Sequence, residues 1–377
     1  MTQRNLKIVH VIYALIQGGA EKFVVDLSNK LSENHEVYII TLRANSSDLF
    51  NKKLNDKVKF INFPISNGFR LKDIYRLNKF IDTLEPDIIH THLQVVFYFL
   101  LRNICRKKGV IFHTIHNDAS FDASKKYQFL IRKFFYKTNL IIPLTISNES
   151  QNSYREYYNL NNSEVIYNGC SKPIKTDNFN EIKKQINSLK FNSDDLVFIH
   201  LSRFAENQKQ HSVLINAFNR IRSNFNNVIL LIIGQGYETK EAEFLKEIAK
   251  EGIFFLGEKN NVGNYLYLSD VFCLSSRFEG LPISLLEALS CGCIPICTPV
   301  GGIKDIIQEE KTGYLSSDIS EESYYQALKK YLKNPNKIRK NELIEYFTEN
   351  YSIEKCSNKH ENIYLKYLNQ KKMSNLM

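Results

Sequence analysis

Arg277-Phe278-Glu279-Gly280-Leu281-Pro282-Ile283-Ser284-Leu285-Leu286-Glu287-Ala288 is the stretch on which the fold reading turns. It follows Asp270-Val271-Phe272-Cys273-Leu274, an apolar run that reads as a strand, and it ends inside a helix-like apolar segment reaching Leu289. Gly280 permits a tight backbone path, and Pro282 suits the first turn of a helix, where a missing N–H costs nothing. Strand, glycine turn and helix N-terminus together make an anion site, because several unpaired N–H groups point the same way. Two carboxylates bracket that site, Glu279 before the helix and Glu287 about two turns into it. The same pattern also describes a loop that feeds an ordinary core helix, so the neighbouring segments decide between the two.

Upstream of this stretch lies a series of strand–loop–helix units. Leu196-Val197-Phe198-Ile199-His200-Leu201 reads as a strand, residues 202–210 as the loop after it, and Ser212 to Ile221 as a helix. Arg203 and Lys209 therefore sit beyond the carboxyl end of a strand, where a planar guanidinium and an ammonium both suit phosphate oxygens. Solvated surface charges are the plain alternative. Strands follow at 227–233, 253–256 and 294–297, then the loop Thr298-Pro299-Val300-Gly301-Gly302 and a helix at 303–307.

The first half repeats the plan. Lys7-Ile8-Val9-His10-Val11-Ile12 is a strand, and Gly18-Gly19 turns the chain into a helix that starts with Phe23, Val24 and Leu27. The three-glycine dinucleotide fingerprint is incomplete there, so a nicotinamide or flavin site lacks support. Strands at 37–40, 58–61, 87–90, 110–117, 140–142 and 164–167 alternate with helical spacing at 71–84 and an apolar helix at 95–101. Ligands bind beyond strand carboxyl ends in open parallel sheets, which draws attention to His90, His92, His113 and His116. A zinc site there lacks a Cys or carboxylate at a familiar spacing. Lys125 to Lys137 interleaves basic with aromatic and aliphatic residues. With Arg102, Arg106, Lys107 and Lys108 it forms either a basic surface for an anionic membrane or the solvated face of a core helix.

At 377 residues the chain is long for one core, which predicts two domains. The polar, aperiodic stretch from Cys170 to Phe179 marks the break. The domains expected are 1–172 and 173–350, with 351–377 as a helix that returns to the first. Hydrophobic content of 43% and charged content of 24% suit a globular protein. No run reaches the roughly 18 apolar residues of a membrane span. Seven cysteines and no recognisable export signal place the chain in a reducing, cytoplasmic setting. Cys291 and Cys293 read as packed small residues and not as metal ligands. A net charge of +10 favours an anionic partner: nucleic acid, lipid headgroups or a phosphorylated substrate. Nucleic acid ranks last, since no recognition signature accompanies the charge.

In chain order Gly18-Gly19-Ala20-Glu21, Thr114-Ile115-His116, residues 165–169, Ser202-Arg203 with Lys209, Glu279 with Glu287, and residues 299–302 resemble glycosyltransferase family 4. These are retaining, nucleotide-sugar-dependent enzymes of the GT-B fold, with two Rossmann-like domains facing across a cleft. The resemblance covers nearly the whole chain. It implies that Arg203 and Lys209 hold the donor diphosphate and stabilise the charge of the departing nucleoside diphosphate. It also implies that the N–H groups near Gly280, Leu281, Ile283 and Ser284 bind the same diphosphate. Glu279 is then placed on the transferred sugar, Glu287 on the ribose, Gly18 and Gly19 near the phosphates, and His116 on the sugar. The chain departs from the family pattern at Ser202 and Gln210, both usually glycine.

No Asp-x-Asp motif appears, and the two cations with a helix N-terminus predict transfer that needs neither a metal nor a tightly bound cofactor. The expected partners are a nucleotide sugar, most simply a UDP-sugar, and a glycan acceptor on a polyprenyl diphosphate. The expected setting is cell-surface polysaccharide synthesis. An epimerase or phosphorylase on the same fold and a non-catalytic polyanion-binding or membrane-binding protein are the rival readings.

Overall fold

The computed structural model describes residues 4–16, 18–43, 50–66, 70–100, 102, 108–123 and 125–374. The chain divides into two compact units, Met1–Cys170 with Ile353–Met377, and Ser171–Ser352. The sequence places these changes two residues away, after 172 and after 350.

The first unit is built on seven parallel strands: β1 (Lys7–Ile12), β2 (Glu36–Thr41), β3 (Lys59–Asn62), β4 (Ile88–His92), β5 (Val110–Ile115), β6 (Ile142–Thr145) and β7 (Glu164–Val165). Their order is β3-β2-β1-β4-β5-β6-β7. Its helices include α1 (Gly19–Leu31), α2 (Leu71–Leu84), α3 (Lys126–Lys137) and α4 (Asn148–Tyr158). The second unit has six parallel strands: β8 (Leu196–Leu201), β9 (Val228–Ile233), β10 (Ile253–Gly257), β11 (Val271–Leu274), β12 (Ile294–Cys297) and β13 (Tyr314–Leu315). Their order is β10-β9-β8-β11-β12-β13. Its helices include α5 (His211–Arg222) and α6 (Ile283–Ser290).

Helices cover both faces of such sheets, so the central strands read as continuous apolar runs, as Val228-Ile229-Leu230-Leu231-Ile232-Ile233 does with all six residues buried. Burial of each such side chain is worth about 1.5–3 kcal/mol. In both sheets the order reverses beside the first strand, between β1 and β4 and between β8 and β11. Those reversals open a crevice at the strand carboxyl ends.

Some local expectations need correction. The apolar segment expected as an α-helix from Val95 is a 3-10 turn over Leu93–Phe99, and Leu93 enters it at φ 59°. Leu101 lies outside the described residues. The strand expected at 140–142 lies two residues later, because Ile142 is the residue that pairs with Phe112. Helix α4 was not anticipated. Its Tyr154 and Tyr158 are fully buried, and Tyr158 stacks on Phe129 with ring centroids 5.5 Å apart.

The last helix, α7 (Ile353–Ser374), belongs to the first unit. Ile353 N–H donates to the Cys170 carbonyl at 3.1 Å, so the chain re-enters the unit where it left. Lys366 Nζ reaches Glu164 at 2.6 Å, and Lys371 Nζ donates to the Gly109 carbonyl at 2.6 Å. Tyr364 packs on Phe112 with centroids 5.0 Å apart.

Candidate active site

In the second unit the loop after β8 contains one helical turn, Glu206–Lys209, which carries Lys209 at its end. The Lys209 ammonium lies 2.5 Å from Glu279 Oε1, and Ser276 Oγ donates to the same oxygen at 2.6 Å. Both charged side chains are largely buried, with 13% and 7% of their side-chain surface exposed. Two further bonds clamp the loops together: Arg277 N–H to the Gln208 carbonyl at 2.7 Å, and Ser275 Oγ to the Lys209 carbonyl at 3.0 Å. Arg203 is exposed and makes no ion pair among the described residues. A Cβ on Gly234 would stand 1.8 Å from the Ser202 carbonyl oxygen, so the β8 loop needs a glycine beside it.

Helix α6 begins at Ile283 with Pro282 at the cap. The proline fixes the entry one residue later than the sequence places it, and Glu287 stands just over one turn into the helix, not two. Among the described residues no side chain caps this N-terminus, and no acidic residue lies in its first turn. Its first N–H groups, Ile283 and Ser284 included, are therefore available to an anion. Gly280, Leu281 and Glu287 are buried, while Ser284 is half-buried. Gly301 adopts φ +52°, and a Cβ there would stand 1.9 Å from the Glu279 carbonyl oxygen. That contact ties the Glu279 loop to the turn after β12.

The two departures from the family pattern behave differently. Gln210 holds the left-handed conformation, φ 48° and ψ 53°, in which glycine is the unstrained choice. The backbone path is kept, and the buried Gln210 Oε1 has no partner among the described residues. Ser202 Oγ lies 2.8 Å from His200 Nε2, while His200 Nδ1 donates to the Cys273 carbonyl at 2.9 Å. The serine is thus anchored to the sheet.

In the first unit Gly18 caps α1 in an extended conformation and Gly19 is its first residue. Glu21 lies in the first turn, and its carboxylate folds back so that a Cβ on Gly18 would stand 2.3 Å from Glu21 Oε2. This N-terminus therefore already has a carboxylate beside it. His90, His92 and His113 are fully buried, whereas His116, just past β5, is 7% exposed. His113 is spanned by Tyr136 Oη at 2.6 Å and the Leu93 carbonyl at 2.9 Å, and His90 by Tyr364 Oη at 2.7 Å and Thr114 Oγ1 at 2.6 Å. Those two rings are structural. His116 Nε2 lies 3.1 Å from His92 Nδ1, and His92 Nε2 lies 3.1 Å from His10 Nδ1. His10, His90 and His92 also bring ligand-type atoms within 4.8 Å of one another. Burial drives the His10 and His116 rings down to about 3 and keeps them neutral, with the nearby His360 adding to the effect. His10 and His360 carry no sequence signal, since their place beside His116 depends on strand order and on the return of α7.

The family described as "Glycosyl transferases group 1" matches residues 181–351, and the one described as "Glycosyltransferase Family 4" matches residues 17–171. The chain is a group 1, family 4 glycosyltransferase. Among curated relatives, this glycosyltransferase is 25% identical over 348 residues to a Campylobacter jejuni enzyme, covering 87% of this chain and 90% of that one. That enzyme is named N-acetylgalactosamine-N,N'-diacetylbacillosaminyl-diphospho-undecaprenol 4-alpha-N-acetylgalactosaminyltransferase. It is 27% identical over 346 residues to an Escherichia coli UDP-Gal:alpha-D-GlcNAc-diphosphoundecaprenol alpha-1,3-galactosyltransferase, covering 87% and 88% of the two chains. Among solved structures, Anabaena HepE in complex with UDP and glucose matches with a TM-score of 0.77 at 14% identity, covering 95% of this chain and 99% of that one. The two parallel-sheet units and these structural neighbours establish the α/β GT-B fold.

The proposed membrane face changes in detail. On α3 of the glycosyltransferase, Tyr127, Leu130 and Phe134 point outward, each more than half exposed, with Lys125, Lys126 and Lys137 around them. Arg132 points inward to Asp122 and Gln94, and Arg102 is buried against Asp82, so neither belongs to a surface. Arg106 and Lys107 lie outside the described residues. Among the described residues no helix is long and apolar enough to cross a membrane. Cys291 and Cys293 are buried, with the Cys293 thiol donating to the Leu266 carbonyl at 3.0 Å.

Proposed function

We propose that this glycosyltransferase moves a sugar, with retention of configuration, from a UDP-sugar to a glycan acceptor carried on a lipid diphosphate in the assembly of a cell-surface polysaccharide. The observation that carries this reading is the Lys209–Glu279 pair, at the carboxyl ends of β8 and β11 and with Arg203 on the same β8 loop as Lys209, together with the uncapped N-terminus of α6. Such a site suits a diphosphate that gains charge as it leaves. The ammonium has three N–H donors, and Glu279 takes one and fixes its direction, which leaves two for phosphate oxygens. Donors fixed before the reaction need no reorganisation as the charge develops.

In this reading Arg203 grips the diphosphate with its planar fork, and the N–H groups of Ile283 and Ser284 meet the same oxygens. Glu279 also accepts from sugar hydroxyls, Glu287 accepts from the ribose, and His116 meets the sugar. The leaving phosphate takes the acceptor proton on the same face, which gives retention without a protein nucleophile. Arg203, Lys209 and the helix N-terminus supply the positive charge that a divalent cation supplies elsewhere, so turnover persists in chelator.

The lipid-linked acceptor is supported by the diphospho-undecaprenol substrates in the names of the Campylobacter and E. coli relatives. The UDP donor is supported by the complex formed by HepE. The outward aromatic and basic face of α3 fits a cytoplasmic enzyme that rests on an anionic bilayer. A panel of nucleotide sugars, read as released nucleoside diphosphate, tests the donor. Release with one UDP-sugar and acceleration by polyprenyl-diphosphate glycans support the reading. No release with any donor overturns it.

A further inference from the structure

Buried neutral histidines have a definite tautomer when a carbonyl fixes it, because a carbonyl only accepts. The Leu93 carbonyl places the proton of His113 on Nε2, and the Cys273 and Cys356 carbonyls place those of His200 and His360 on Nδ1. His211 Nε2 accepts the Ala205 N–H at 3.1 Å, which puts its proton on Nδ1. The line His10–His92–His116 is different. Its two contacts, each 3.1 Å, join ring nitrogen to ring nitrogen.

A neutral imidazole has one N–H and one lone pair. His92 therefore donates to one neighbour and accepts from the other, and the three protons must all point the same way along the line. Only two arrangements satisfy this. With the protons pointing toward His116, His10 Nε2 is a bare lone pair and His116 carries its proton on Nδ1. With the protons reversed, His10 Nε2 is an N–H and His116 Nδ1 is a lone pair. His10 Nε2 is buried and has no partner among the described residues. An orphaned N–H is the rarer and costlier defect of the two. The first arrangement is favoured.

We propose that His10 and His92 are positioning residues that hold His116 as its Nδ1–H tautomer, so that it offers a hydrogen-bond donor and selects an oxygen acceptor, such as a sugar hydroxyl oxygen. The catalytic consequence rests on the reading of His116 as a sugar-contacting residue, whereas the tautomer itself does not. Neutrality of all three rings follows from their burial, and the lowered basicity of His10 and His116 agrees with it.

The test uses the full chain labelled with 15N-histidine near pH 7.5, with His116 signals assigned by their loss in His116→Asn. Long-range proton–nitrogen correlations distinguish the two tautomers and the imidazolium. The expected pattern for His116 is a protonated Nδ1 and a bare Nε2. A protonated Nε2 or an imidazolium overturns the proposal. So does a shift of the His10 and His92 ring-nitrogen signals on adding zinc ion, which would assign the cluster to a metal. In His92→Phe the His116 pattern should become a mixture, and kcat/KM should fall about 10–100-fold, by analogy with the loss of a partner that orients a metal-ligating histidine. The expected tautomer together with full activity of both His92→Phe and His116→Ala would leave the ring line standing and remove His116 from the reaction.

Discussion

Beside the reversal of the first sheet, β1 and β4 carry His10, His90 and His92, all fully buried, and the nearby His116 sits just past β5. Beside the reversal of the second sheet, β8 and β11 lead into Arg203, Lys209 and Glu279. The glycine turns differ in the same sense. α1 has Glu21 folded over its N-terminus, whereas α6 has no acidic residue in its first turn and no capping side chain. One topology therefore supports two chemistries. The first unit offers neutral, directional hydrogen bonds and the second offers fixed positive charge. That division suits a reaction in which one half meets uncharged hydroxyls and the other a diphosphate.

Five experiments press on this contrast. The first unit keeps its main ion pair inside, where Arg132 meets Asp122 with both side chains almost fully buried. Asp122→Ala leaves the guanidinium buried and uncompensated, so urea unfolding should show a loss of about 3–5 kcal/mol. A loss under 1 kcal/mol would mean that water reaches Arg132.

In the second unit the paired charges of Lys209 and Glu279 are the ones proposed to serve chemistry. Lys209→Ala and Glu279→Ala should each lower kcat by about 10²–10³-fold while leaving the fold intact by circular dichroism. Near-normal turnover in both would place the reaction elsewhere.

Acid should separate the units. All seven histidines of the first unit and both of the second are pushed below their usual basicity, chiefly by burial. The unfolded rings bind a proton near pH 6.5, whereas His10 and His116 stay neutral until about 3 and His200 until about 4. In that window the unfolded state binds more protons, so stability falls as the pH drops. Hydrogen exchange at pH 7.5, 5.5 and 4.5 should show the first unit opening first. Equal loss of protection in both would refute the contrast.

Glu21→Ala removes the carboxylate from the N-terminus of α1 and should cost about 1 kcal/mol, as cap losses do. An unchanged melting temperature would show that Glu21 only lies nearby. The smallest effect expected is from Gln210→Gly, which relieves a left-handed residue and an orphaned amide oxygen. It should raise stability by up to about 1 kcal/mol in thermal unfolding. A clear loss would show that the Gln210 side chain packs more usefully than its strained backbone costs.

Most strands were legible in the sequence because a parallel sheet covered on both faces needs unbroken apolar runs. Leu196–Leu201 and Ile294–Cys297 appear where the sequence places them. The 3-10 turn at Leu93 was not, since its geometry depends on one residue in a left-handed conformation. The sequence pointed to Lys209 and Glu279 separately but not to their pairing. Seventy residues separate them, and β9 and β10 intervene in the chain although β8 and β11 are neighbours in the sheet. His10 stayed hidden for the same reason, since only the pairing of β1 with β4 sets it against His90.

The bond from Ile353 to Cys170 has a consequence for synthesis. The first unit is interrupted by residues 171–352 and cannot complete its core until the last helix emerges. At about 5–20 residues per second that wait lasts roughly 10–40 s. During it the surface that α7 will cover, including His90 and Phe112, stands open on the ribosome, while the second unit is free to fold. A nascent chain stopped short of Ile353 is therefore the form of this enzyme most in need of a chaperone.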